Sequence, residues 1–306
     1  MMFVLINKKK ILDFVDKRDF ETKIGENLKT GTVKELAQNG VKFVLIGAEE
    51  SIGPIANLGN TGSEKAWDSF IKYFVNVQEN DFFDASKIGV LGSFKFEIEE
   101  NKLEKLREQV NLIDNELAEV VESIGKHGMI PILIGGGHNN SYPLIIGLSN
   151  AYGDSLNVIN CDPHADFRPL EGRHSGNGFS YAMKEEVLNK YFILGLHQNY
   201  NSSSIFKMFE KANKEETKIA YTFFDHWIYG KSTMEKDIEI GIEFMKGKRV
   251  GIELDMDSIA YMPSSAIGPS GIDLNNARKY ISRCATNLNV AYLHLPEAAP
   301  KMKLLS

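Results

Sequence analysis

The chain has only two cysteines, Cys161 and Cys284, among 306 residues. That number excludes a disulfide framework, and Cys161, set at the end of an apolar run, reads as a small core residue. No apolar stretch approaches the length of a membrane span. The opening MMFVLINKKK places its apolar part before the lysines and has no small-residue cleavage site after it, so it does not read as a secretory signal. Long blocks of like charge are missing too; the longest basic run is Lys8-Lys9-Lys10, a solvated surface element. A net charge of −6 and a pI near 5.7 argue against a nucleic-acid binder, which presents a basic face. Internal repeats and low-complexity segments are absent. The expectation is a cytoplasmic globular protein whose partners include neither nucleic acid nor membrane.

What is present is a stock of core residues. Hydrophobic residues make up 43% and charged residues 25%, enough for a full interior. Short apolar runs bounded by Gly, Asn or charged residues predict strands at Phe43–Ile46, Met129–Ile134, Leu156–Ile159, Tyr191–Leu194, Val250–Leu254 and Val290–Leu293. Apolar residues at helical spacing predict a helix over Leu103–Ile124, with Leu103, Leu106, Val110, Leu112, Ile113, Leu117, Val120 and Val121 on its inner face. Met234–Met245 and Asp273–Thr286 read as further helices. Strands alternating with helices imply parallel pairing through crossovers, hence an α/β sheet covered on both faces. The polar stretch Asn199–Ser204 is the one candidate boundary, but the same alternation continues on both sides. A single domain over residues 1–306 is therefore expected, with its ligand site at the carboxyl ends of the strands.

Three polar clusters follow three of those strands. The first is Ile134–Asn140, IGGGHNN, where glycines allow a sharp turn that ends in His138. Alone it is as consistent with a structural turn, and it lacks the Lys-Ser/Thr of a phosphate-binding loop. The second is Asp162-Pro-His164-Ala-Asp166. If the strand continues, alternation projects all three side chains to one side. Two carboxylates and an imidazole on one face repel or desolvate badly without a cation between them. Oxygen and imidazole donors without thiolate suit Mn²⁺, Fe²⁺, Co²⁺ or Zn²⁺. The third is Glu253-Leu-Asp255-Met-Asp257, in which Asp255 and Asp257 again share a face. Together the histidines and aspartates of the clusters supply two imidazoles and four carboxylates, too many for one small ion and suited to two ions that share aspartates. Such a pair makes a water nucleophilic near neutral pH.

The order GGGH, DxHxD, DxD at strand ends resembles the arginase or ureohydrolase superfamily, and the resemblance runs from about Ile46-Gly47 to Leu295. It implies a three-layer α/β/α domain with a mainly parallel central sheet and a dinuclear Mn²⁺ site, two ions per chain. By position, one ion takes His138, Asp162, Asp166 and Asp255; the other takes His164, Asp162, Asp255 and Asp257. A hydroxide held between the ions attacks a planar amidine or guanidine carbon, and Asp166 carries its proton to the leaving nitrogen. Members are often homo-oligomers, although nothing in this sequence marks an interface.

The flanking residues narrow the resemblance. Gly137 stands where arginases and agmatinases have Asp, and Phe179 replaces the arginase proton-shuttle histidine. The formimidoylglutamase branch is a better match, with GGGH, an Arg at the position of Arg168, Phe at Phe179 and a Pro/Ser-rich loop like Met262–Gly271. It implies a small amidine substrate with carboxylates, N-formimino-L-glutamate of histidine degradation. Arg168, Arg173, His174, Ser175 and Asn177 are then the candidate substrate-binding residues, the arginines as planar carboxylate donors. Either arginine can instead pair with Glu171 or another acidic side chain, and His174 can instead cap a turn. The family's substrate-holding Glu is replaced at its position by His294, which is taken as a catalytic candidate with Glu297 as the alternative. His197 and His226 are weaker candidates. The competing readings are a ureohydrolase of agmatine or guanidino acids, with urea as product, and a catalytically silent metal-binding relative.

Overall fold

The computed structural model describes residues 2–301. Its ten strands are β1 (Met2–Leu5), β2 (Lys29–Thr30), β3 (Phe43–Glu49), β4 (Ile88–Lys95), β5 (Ile130–Ile134), β6 (Leu156–Cys161), β7 (Leu188–Leu196), β8 (Ile219–Phe223), β9 (Val250–Leu254) and β10 (Val290–Leu295). They form one sheet in the order β1-β4-β3-β5-β10-β9-β6-β7-β8, with β2 also paired to β4. Only β1 runs antiparallel, against β4; every other pairing is parallel.

Helices cover both faces. One layer is built from Leu103–Lys126, Ser141–Tyr152, Gly178–Lys184 and Ser203–Ala212, whose apolar residues share a core with β3, β4 and β7. On the other side, Met234–Met245 and Leu274–Asn287 pack on β6, β9 and β7, and Ala66–Phe74 packs beside β3. The expected three-layer α/β/α arrangement with a mainly parallel central sheet is what the chain adopts.

The six predicted strands fall within β3, β5, β6, β7, β9 and β10, apart from Met129, which precedes β5. Asp273, predicted as the first residue of its helix, is instead the N-cap of the observed helix Leu274–Asn287, accepting hydrogen bonds from the N–H groups of Asn275 and Asn276. The long helix runs to Lys126 and buries Leu106, Val110, Ile113, Leu117 and Val121 as its spacing predicts. Leu103 and Leu112 are exposed instead, and the acidic Asp114 occupies the buried stripe. Asn199–Ser204 follows β7 and leads into the helix Ser203–Ala212 of the same sheet-covering layer.

What matters for function is the centre of the sheet. The strands β5, β10, β9 and β6 are consecutive neighbours. Their parallel direction delivers the segments after each of them to one edge, where ligand sites of open α/β sheets form.

Candidate metal centre and active site

The loop after β5 turns through Gly135 and Gly136, both with positive φ (80° and 64°). A Cβ on Gly137 would collide with the Pro54 ring, so no side chain fits immediately before His138. The turn is fastened by the buried Glu50, which accepts from the Gly137 N–H and the Asn140 side-chain amide, each at 2.7 Å. His138 is thereby set fully buried between the ends of β6 and β9.

The convergence of the aspartates has a different cause from the expected alternation. β6 stops at Cys161 and β9 at Leu254, so Asp162 and Asp255 each stand just past a strand end. Asp162 Oδ1 accepts the His164 N–H at 2.7 Å, and Asp255 Oδ1 accepts the Asp257 N–H at 2.7 Å. Each pair is closed by a side-chain turn of the kind aspartate favours. Asp166 adopts a left-handed backbone (φ 44°), which brings its carboxylate back towards the cluster. Asp162 Oδ2 also accepts from the Asn160 amide at 3.0 Å, and that amide lies 3.0 Å from the Tyr191 hydroxyl.

His138 Nδ1 lies 2.8 Å from Asp166 Oδ2, 2.9 Å from Asp255 Oδ2 and 3.3 Å from Asp162 Oδ2. His138, Asp162, Asp166 and Asp255 form a group whose donor atoms all lie within 4.8 Å of one another. His164 is adjacent, its Nδ1 3.5 Å from Asp162 Oδ1 and 3.8 Å from Asp257 Oδ2. A second close group on the inner side comprises His138, Glu253 and His294.

The electrostatics follow from crowding. Burial raises the pKa values of Asp166, Asp255 and Asp257, and the charge of Asp162 adds to each. Burial also opposes charge on Asp162, but His138 and His164 outweigh it and hold this carboxyl below its usual range. The two histidines respond in reverse. Burial disfavours their charged forms, yet the carboxylates lift His138 well above its ordinary value and His164 to about 10. The protein thus seeks positive charge at this point. Both His138 ring nitrogens are buried without a hydrogen-bond partner, and the surrounding donors are carboxylate oxygens and imidazole with no thiolate. These residues fit divalent cations that take oxygen and nitrogen donors.

A cavity of about 450 Å³ opens above the cluster. Its floor includes His164, Asp166, Asp255, Asp257 and Glu297; its walls include Asn57, Arg168, Glu171, Ser175, Tyr200 and Asn201. Volume and lining are those of a small-molecule site. Tyr200 stacks on the His164 ring with centroids 5.4 Å apart.

The sequence-predicted substrate residues separate into two groups. Arg168 and Ser175 line the cavity; Arg168 is half-exposed, with Nη2 3.0 Å from Glu171 Oε1. Arg173, His174 and Asn177 do not reach it. Arg173 is buried, its Nε donating to Asp114 at 2.8 Å, Nη1 to Asn177 at 2.6 Å and Nη2 to the Asn139 carbonyl at 3.0 Å. It also lies over the Tyr142 and Tyr181 rings. The expectation that Arg173 grips a substrate carboxylate is corrected: its donors already serve Asp114, an acid on the long helix. Asn177 completes that interior network, and His174 caps the turn, accepting the Gly176 N–H at 3.1 Å and lying 3.2 Å from Glu171.

His294 requires a second correction. It is fully buried on the side of His138 away from the cavity, with Nδ1 2.6 Å from Glu253 Oε2. Glu297 is the residue that faces the cavity. It accepts the His138 N–H at 2.6 Å through Oε1, while Oε2 is buried and unpartnered. Burial, reinforced by the charge of Asp257, pushes its carboxyl up to about 8. Phe179 is buried edge-on to the His138 ring and stacked on Tyr191. His197 stacks on Phe224 and lies tilted against Tyr200 outside the cluster, and His226 packs against Phe223. The sequence reading assigned no role to Glu50, Asp114 or Tyr292. Glu253 stood in the quoted third cluster, two residues before Asp255, and that spacing was its only signal.

A family model described as the arginase family matches residues 41–304. The chain belongs to the arginase family. A curated relative named formimidoylglutamase, from Streptococcus pyogenes, is 27% identical over 273 residues, 85% of this chain and 78% of that protein. Among solved structures, formimidoylglutamase from Bacillus subtilis superposes with a TM-score of 0.74 at 18% identity, covering 94% of this chain and 87% of its own. Trypanosoma cruzi formiminoglutamase with Mn²⁺ gives 0.68 at 20% identity, covering 92% and 91%. Proclavaminate amidino hydrolase of Streptomyces clavuligerus gives 0.73 at 15% identity, covering 94% and 91%. These likenesses establish the arginase-family fold.

Proposed function

We propose that the protein is a dinuclear-metal hydrolase that cleaves N-formimino-L-glutamate to L-glutamate and formamide, a step of histidine degradation, with Mn²⁺ as its ion. The observation that carries this reading is the convergence of His138, Asp162, Asp166 and Asp255 beneath a small cavity that also presents Glu297 and Arg168. The relatives named formimidoylglutamase support the choice of substrate.

His138, Asp162, Asp166 and Asp255 would hold one ion, and His164 with Asp162, Asp255 and Asp257 the other. When bound, the ions would act as Lewis acids that bring water to a nucleophilic state near neutral pH. Asp166, which opens onto the cavity, takes the proton of the attacking water and passes it to the departing nitrogen. Water oxygen bonds to the amidine carbon, the bond from that carbon to the glutamate nitrogen breaks, and the proton ends on glutamate. Glu297 Oε2 accepts an amidine N–H, which relieves its own lack of a partner. Arg168 offers its planar fork to a carboxylate, and Asn57 and Ser175 add neutral hydrogen bonds.

The cavity wall carries one arginine where the sequence reading expected two, because Arg173 is turned inward. A single carboxylate clamp favours, as a second reading, a guanidino acid with urea as product. The deciding experiment measures formamide from formiminoglutamate and urea from arginine, agmatine and guanidino acids, on Mn²⁺-loaded and chelator-treated protein. Formamide release that depends on Mn²⁺ is expected; urea release alone establishes the second reading, and no turnover with either set overturns both.

A further inference from the structure

The group behind His138 is more than packing. Glu253 is a fully buried carboxylate on β9, and burying an acid is costly unless it is held by partners. It has three. Tyr292 donates its hydroxyl to Oε1 at 2.7 Å; His294 Nδ1 lies 2.6 Å from Oε2; and His138 Nε2 approaches the same Oε2 at 3.4 Å. The backbone is fixed as well, because the Tyr280 hydroxyl lies 3.0 Å from the Glu253 carbonyl and 3.0 Å from that of Ile159 on β6. None of these five side chains lines the cavity.

An imidazole that binds an ion through one nitrogen needs the other nitrogen to carry hydrogen, and an acceptor on that side selects the tautomer and the ring angle. His138 presents Nδ1 to Asp162, Asp166 and Asp255 and turns Nε2 to Glu253. We infer that Glu253, clamped by Tyr292 and His294, is the positioning residue that aims the Nδ1 lone pair of His138 at the metal site. The inference rests on the dinuclear reading above. It gives His294 a place on the far side of the histidine it supports, without contact with substrate.

The test titrates Mn²⁺ into metal-stripped protein and follows it by calorimetry and electron paramagnetic resonance. Wild-type protein is expected to bind two ions and to give a spin-coupled spectrum at two equivalents. Glu253→Gln, which keeps the shape but removes the charged acceptor, is expected to weaken one site by about 10–100-fold and leave the other near wild type. At two equivalents its spectrum then shifts towards the uncoupled six-line form while the other site stays filled, a one-site loss that unfolding, which empties both sites, does not produce. Tyr292→Phe leaves the carboxylate in place but frees it on one side, and is expected to show a smaller loss at the same site. Its result decides the matter if Glu253→Gln does not fold. Wild-type affinity at both sites in the variant that folds overturns the inference, as does an equal loss at both. A third bound ion lost in Glu253→Gln overturns it in favour of an ion held directly by Glu253, His138 and His294. If wild-type protein itself takes up no Mn²⁺, the dinuclear reading fails along with it.

Discussion

Arg173 and Arg168 stand five residues apart, yet the structure assigns them opposite work, and substitution separates the two roles. In Arg173→Met the Asp114 carboxylate stays in the interior without its cation, and the Asn139 carbonyl and Asn177 Oδ1 lose a donor. Removing one partner of a buried ion pair costs about 3–5 kcal/mol. For a chain of this size, with Tm moving by about 2 °C per kcal/mol, the expected fall is about 6–10 °C. Burial already pushes Asp114 up to about 6 despite Arg173, so the orphaned acid takes up a proton, which limits the loss. The double variant Asp114→Leu/Arg173→Met removes both charges and is expected to regain part of the stability. Arg168→Gln should behave in reverse. Its pair with Glu171 is half-exposed and contributes about 0–1 kcal/mol, so Tm stays within about 2 °C. Loss of a charge-assisted hydrogen bond to substrate, about 1.5–3 kcal/mol, raises KM by about 10- to 150-fold. Thermal unfolding and steady-state kinetics on the two variants read both quantities. A raised KM with unchanged Tm in Arg173→Met would refute the reasoning.

Two further outcomes follow from the site. Asp166→Asn is expected to lower kcat by about 100- to 10,000-fold, the usual share of a proton carrier, and bound Mn²⁺ is counted in the same sample; wild-type turnover at full occupancy would remove Asp166 from the chemistry. Burial lowers the His174 pKa to about 4, below its unfolded value near 6.5, so the unfolded chain binds more protons between these limits. Its contribution to stability is therefore present above about pH 6.5 and lost as pH falls towards 4. His174→Asn keeps an acceptor for the Gly176 N–H and should flatten that part of the urea midpoint against pH; equal slopes in variant and wild type would mean the folded histidine is already charged.

The legible parts of the fold were those with local signals. Runs such as Phe43–Ile46 and Met129–Ile134 declare buried parallel strands through their β-branched and large apolar residues. β4, IGVLGSFK, is broken by Gly89, Gly92 and Ser93 and lacks such a run. The helix Ser141–Tyr152 was missed because it is apolar on most of its circumference, which leaves no amphipathic period to detect. In the site, ligand types and their spacing are local, and His138 and the four aspartates could be named. Direction is not local. Arg173 points inward because of Asp114, 59 residues earlier, and nothing near Arg173 announces that partner. Glu297 faces the cavity because the chain leaves β10 after Leu295 and passes through a left-handed residue (φ 65°), whereas His294 is still strand and points behind His138.

The paired turns at Asp162 and Asp255 put the motif spacing in another light. In each, the side-chain oxygen and the amide two residues on close a small ring, at 2.7 Å in both cases. The interval in D-x-H and D-x-D is therefore a ring size. It leaves the middle position free, which is why Pro163 and Met256 serve equally well, but it forbids proline at the third, where an N–H must be donated. A residue inserted into either ring would open it and release a carboxylate oxygen to swing out of the cluster. The two segments thus act as matched clasps that can tolerate change in what they enclose but not in how many atoms they enclose.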